Sequence, residues 1–123
     1  MLWLAVALGG SLGALGRYGL AQAFPVVAGH WPLATFIANL LGSMLMALGF
    51  VVIMEKALLP EYMRQLLLVG GMGAFTTFST FSLESLFLIQ GGHWGLALSY
   101  VAATMLGCIV AAYIGYTLAH ALL

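Results

Sequence analysis

Charge is what this sequence has least of. It carries three Lys plus Arg and three Asp plus Glu in 123 residues, against a hydrophobic share of 64% and a mean hydropathy of +1.16. Six charged side chains cannot clothe the core of a water-soluble domain of this size, so the composition excludes one and implies an integral membrane protein. The charges balance to a formal net of zero, which removes any electrostatic reason to expect nucleic acid or an acidic substrate as a partner. Cysteine is almost missing too. A single Cys108, set in an apolar run, allows no internal disulfide and no thiol pair for redox or metal chemistry. His30, His93 and His120 fall near expected helix ends, far apart, with no metal-ligand spacing among them. The N-terminus has neither a basic region before its apolar run nor a small-residue cleavage pattern, so it reads as a retained first helix rather than a signal peptide.

What is present is apolar sequence in four stretches, each near or above the roughly 20 residues a helix needs to cross a bilayer. They predict a single all-α transmembrane domain over 1–123, with helices at about 2–24, 31–54, 63–90 and 94–122. Pro25 closes the first, and Pro32 suits the first turn of the second. Glu55 to Glu61 is the only clearly polar connection, and Trp3, Trp31 and Trp94 sit near expected ends, as interfacial aromatics do.

The third stretch is not built merely to span. From Gly70 to Glu84 it holds Gly70, Gly71 and Gly73, then Thr76, Thr77, Ser79, Thr80 and Ser82, and ends on a glutamate. Polar or unwound backbone survives at membrane depth only where protein buries it or a cavity receives it, and an acid there marks a functional site. This predicts a helix broken near 73–77. Beyond the break, Thr77, Thr80 and Glu84 share a narrow stripe at helical spacing, with Phe78 and Phe81 beside it. Thr35, Asn39 and Ser43 give the second helix its own polar stripe. Hydroxyls and amides donate to anions, and a phenyl ring presents a positive edge. Such a row of donors and rings solvates an anion weakly enough for it to leave, as conduction requires. Where the helix unwinds at Gly73 to Thr76, freed carbonyls suit a hard cation such as sodium, or a bound water. Ser85, Thr104 and Thr117 are expected to bond back to their own helix carbonyls.

Lys56 and Arg64 lie on one side and Arg17 toward the other, so the positive-inside bias is weak and insertion in both orientations is allowed. Ala103, Gly107, Ala111, Gly115 and Ala119 form a small-residue stripe on the fourth helix, and Gly9, Gly13 and Gly16 another on the first. Stripes of this kind let helices approach closely. Four helices enclose little interior, which favours at least a dimer.

Three runs in order then resemble the Fluc (CrcB) fluoride channels: Gly10-Ser11-Leu12-Gly13-Ala14-Leu15-Gly16-Arg17-Tyr18, Asn39-Leu40-Leu41-Gly42-Ser43, and Gly70 to Glu84 with its Thr-Thr-Phe-Ser-Thr-Phe core. The resemblance covers all four helices. It implies an antiparallel, dual-topology homodimer in the cell inner membrane or plasma membrane, passively exporting fluoride through two pores, and no enzyme. It further implies that Phe78 and Phe81 line the pore with Asn39, and that Ser79, Thr80 and Glu84 lie on or near a polar track. By the same likeness the carbonyls of Gly73 and Thr76 hold a structural sodium ion at the dimer interface, Arg17 is the first-helix arginine and Tyr100 the fourth-helix tyrosine near the pore. The rival class is a small four-helix proton-coupled exporter of drugs or cations, which would keep an acid in its first helix. None is there. An intramembrane hydrolase built on Ser79 or Ser82 would need a base within reach, and no histidine lies at membrane depth.

Overall fold

The computed structural model describes residues 1–123. The chain is all helix: α1 (Leu2–Ala23), α2 (Leu33–Glu55), α3 (64–75), α4 (Phe78–Gln90) and α5 (Trp94–Leu122). Helices α3 and α4 together make one interrupted span, Arg64–Gln90, so four spans are long and apolar enough to cross a membrane and the protein is multi-pass. The last turn of α2, Val51–Glu55, and most of α3, Arg64–Met72, are wound as π-helix. That wider winding mostly occurs as single turns, and its length in α3 has no counterpart in the apolar periodicity of the sequence.

Small residues set the packing. The glycine face of α1 lies directly on α3: a Cβ on Gly9 would overlap the Leu66 carbonyl oxygen, and one on Gly13 the carbonyl oxygen of Gly71. Gly16 faces the ring of Phe75. The small stripe of α5 lies against α2, with a Cβ on Gly115 overlapping the Met44 carbonyl and one on Gly107 falling 2.9 Å from a Leu40 methyl. With no hydrophobic drive between helices in lipid, this backbone proximity supplies the dispersion that holds the bundle.

At one end Trp31 donates its indole N–H to Ser99 (3.1 Å), tying the start of α2 to α5. At the other, Glu55 accepts from the Tyr116 hydroxyl (2.9 Å) and meets His120 Nε2 at 2.6 Å. Only 23 of 123 residues are buried within the chain, and outward residues such as Leu12, Leu106 and Ile109 are large and apolar. That surface suits lipid or protein, not water.

Candidate functional site

The site begins at the break. Thr76 (φ −81°, ψ 154°) and Thr77 (φ −151°, ψ 122°) are extended, and helix resumes at Phe78. Gly73, expected inside the unwound stretch, is helical (φ −59°, ψ −38°), so the interruption is narrower than the glycines suggested. Two side-chain devices replace the lost helical bonds. The Asn39 carboxamide pairs with Thr77 like a strand neighbour, donating to its carbonyl (2.9 Å) and accepting from its N–H (2.7 Å). The Thr77 hydroxyl caps α4 by accepting the Thr80 N–H (3.2 Å), the role a threonine fills best at a helix start.

The break also sorts charge. A helix presents partial negative charge at its C-terminal end and partial positive charge at its N-terminal end. At the end of α3, Arg17 Nε donates to the Ala74 carbonyl (3.1 Å), so the arginine caps a helix terminus and does not pair with a carboxylate. The Thr77 N–H, which in unbroken helix would serve the Gly73 carbonyl, is turned to Asn39, and the Thr76 carbonyl accepts no hydrogen bond from the chain. At the start of α4 the opposite polarity opens beside Phe78.

A cleft of about 310 Å³ lies there, between α2, the break and α5. Asn39, Ser43, Thr76 and Thr77 line it on one side, with Phe78, Phe81 and Thr104 among its other walls, and none of its lining residues is charged. The two phenyl rings stand edge to face, centroids 5.5 Å apart at 65°. Phe78 is 70% exposed and Phe81 only 5%, so one ring is free at the cleft and its neighbour is fixed by packing. Behind Phe81 an aromatic row continues through Tyr100 (5.2 Å) to Trp31 (5.9 Å).

The remaining candidates divide between the cleft and its surroundings. Asn39 reaches the cleft, but one N–H and its carbonyl are committed to Thr77, leaving the second N–H of the amide for a ligand. Ser79 and Thr80 do not line it; they cluster around the Thr77 hydroxyl at 3.4 and 3.2 Å. Glu84 is buried on the far side, accepting from the Thr35 hydroxyl at 2.5 Å. Tyr100 is fully buried against Phe81, its hydroxyl without a hydrogen bond. Ser85 and Thr117 bond back to Phe81 and Tyr113 as expected. Thr104 does not. Its hydroxyl is buried, makes no hydrogen bond and belongs to a residue lining the cleft. Hydroxyl spacing alone hid this, because threonine in a helix usually returns its proton to the preceding turn. Cys108, one turn further along α5, lines the same cleft.

Comparison with known proteins agrees along the chain. A family model described as CrcB-like protein, Camphor Resistance (CrcB), matches residues 4–116. The chain is 50% identical over 122 residues to a protein of Saccharophagus degradans named Fluoride-specific ion channel FluC, covering 99% of this chain and 92% of that one. It is 50% identical over 111 residues to a protein of the same name from Magnetococcus marinus, covering 89% and 90%. It is 38% identical over 121 residues to Fluoride-specific ion channel FluC 2 of Geobacillus kaustophilus, covering 98% and 94%.

Proposed function

The chain belongs to the CrcB-like family, and from that premise we propose that it is a fluoride-selective channel, not an enzyme, in the cell's inner or plasma membrane. The observation that carries the reading is the uncharged cleft at the break, where the positive end of α4 meets the edge-to-face pair Phe78 and Phe81. Phenyl edges and the unpartnered hydroxyl of Thr104 solvate a small anion without a fixed cation to trap it. Asn39 holds the break open and offers its second N–H. Passive flow down the fluoride gradient would relieve a cytoplasm in which fluoride accumulates, because HF crosses the bilayer and dissociates in the less acidic interior.

The working unit in this proposal is a homodimer of antiparallel copies in the bilayer. Its support is a cleft left open on the protomer's flank with Phe78 exposed, and the small number of cations that could fix one orientation, Lys56 and Arg64 at one end, with Arg17 held at the break. A sodium ion fits the break. The carbonyls of Gly73 and Thr76 lack their helical partners, whereas that of Ala74 is taken by Arg17. Gly73 is exposed, so two copies would bring these oxygens together, and backbone oxygen suits a hard cation. The ion would supply positive charge that fixes the two breaks against each other.

Expression in a bacterium stripped of its own fluoride exporter tests the function. Restored growth on fluoride medium, abolished by Phe78→Ile, is expected; unrestored growth despite membrane-inserted protein would contradict it.

A further inference from the structure

A second cleft, of about 270 Å³, opens at the end of the molecule where α4 turns into α5. His30 of the α1–α2 loop, His93 of the α4–α5 turn and Glu84 of α4 all line it, and it shares no lining residue with the cleft at the break. The two are joined through protein. Glu84 and Phe81 stand one turn apart on α4, both buried, and Glu84 is bonded to Thr35, one turn from Asn39 on α2.

Backbone turns pack against one edge of the His93 ring, while both imidazoles stay exposed at the mouth. A Cβ on Gly91 would lie 3.1 Å from His93 Cδ2, and one on Gly29 would lie 3.4 Å from its Cε1, so two glycine turns clasp the ring edge that carries Nε2. Gly29 has φ +76°, which also favours glycine at that place. His30 sets Nδ1 3.3 Å from the Ala28 carbonyl. Neither histidine is in an ion pair.

Charge at this mouth rests on few groups. Residues 24–32 and 91–93 contain no Lys, Arg, Asp or Glu. Glu55, Lys56, Glu61, Arg64 and His120 belong to the opposite end, and Arg17 is bonded at the break. The titratable groups facing the imidazoles are therefore Glu84 from α4 and, behind it, the buried phenol of Tyr100 from α5.

We infer that this cleft is an antechamber that binds a small hard anion before it reaches the break, with His30 and His93 as its donors. The inference rests on the fluoride-channel reading. Imidazole changes charge between about pH 5 and 8. Two imidazolium groups outweigh even one ionised Glu84, so with both imidazoles protonated the cleft is positive whatever the state of that carboxyl. A charged cleft with low-dielectric walls concentrates counter-ions by about tenfold or more.

The test is fluoride efflux from liposomes holding the whole protein, at sub-saturating fluoride, with the same pH on both sides and protein-free liposomes subtracted. Comparing about pH 5.5 with about pH 7.5, either side of the imidazole range, efflux is expected to rise about tenfold at low ionic strength. In roughly 1 M inert salt, where screening acts within about 3 Å, that rise disappears. The double variant His30→Gln, His93→Gln loses the pH response, and His30→Lys, His93→Lys shows high efflux at both values. Flux of the parent protein that is equal at both pH values, or a response that survives in the glutamine double variant, overturns the antechamber. Absence of fluoride flux at either pH from folded protein instead overturns the channel reading beneath it.

Discussion

Replacing Asn39 by alanine removes both bonds that stabilise the break in the third span, and the structure sets the size of the effect. The Thr77 carbonyl loses a donor at 2.9 Å and the Thr77 N–H an acceptor at 2.7 Å. A buried backbone group left unmade costs about 1–3 kcal/mol. Hydrogen bonds between membrane helices average nearer about 0.6 kcal/mol and reach about 1.7, because the freed groups usually find other partners. Here no helical partner is at hand for the extended Thr77, so the upper membrane value applies to each bond and the expected loss is about 3 kcal/mol. Asn39→Asp keeps an acceptor for the Thr77 N–H but turns a carboxylate, when ionised, against the Thr77 carbonyl. It is expected to be at least as unstable. The assay is unfolding of purified protein in mixed micelles with increasing dodecyl sulfate, followed by helical circular dichroism, with fluoride flux measured in parallel. A stability for Asn39→Ala within about 0.5 kcal/mol of the parent, the range of an inert surface change, together with normal flux, would refute the idea that Asn39 holds the break.

Phe78→Ile is expected to cut fluoride flux at least tenfold with unchanged stability, since Phe78 is 70% exposed. Phe81→Ile should cut flux and also cost about 1–2 kcal/mol of packing against Tyr100; dodecyl sulfate titration beside flux separates the two. Thr104→Val removes a buried hydroxyl that makes no hydrogen bond, so stability should hold or rise slightly while flux falls, as read in the same pair of assays. Gly13→Val places side-chain carbons on the Gly71 carbonyl and should prevent stable folding, judged by yield and by a monodisperse elution profile. Gly10→Ala, with nothing within 4 Å, should behave as the parent. Gly73→Ala is the informative contrast. Its Cβ would lie 3.7 Å from the nearest atom of its own chain, so loss of dimer or of sodium dependence in that variant would locate the effect between copies.

Four spans were legible in the sequence because apolar length and terminal Trp, Pro and Gly residues report bilayer crossing directly. The break was legible as a conflict, with glycines and hydroxyls where hydrocarbon demands helix. Its position was legible to within a few residues, since Thr76 and Thr77 fall inside the expected stretch 73–77. Its start was not, because Gly73 stays helical and only Thr76 and Thr77 leave the helix, while Gly70 and Gly71 are buried to let α1 approach. What decides the place is Asn39, 38 residues away in sequence, whose amide supplies the two bonds. Long-range pairing of that kind leaves no local pattern. The same limit applies to Arg17, whose partner is a carbonyl rather than a charge. Thr104, whose hydroxyl stays unbonded, and the clasped His93 were likewise invisible to spacing. The π-winding of α3 had no sequence signal either.

The most direct test of the central claim is anion efflux from liposomes containing the purified protein and loaded with fluoride and chloride salts of potassium. Valinomycin carries the compensating charge, and electrodes selective for each anion read both fluxes at once. Rapid loss of fluoride with chloride retained is the result expected of a fluoride-selective channel. Retention of both anions by folded, reconstituted protein, or equal loss of the two, would contradict it.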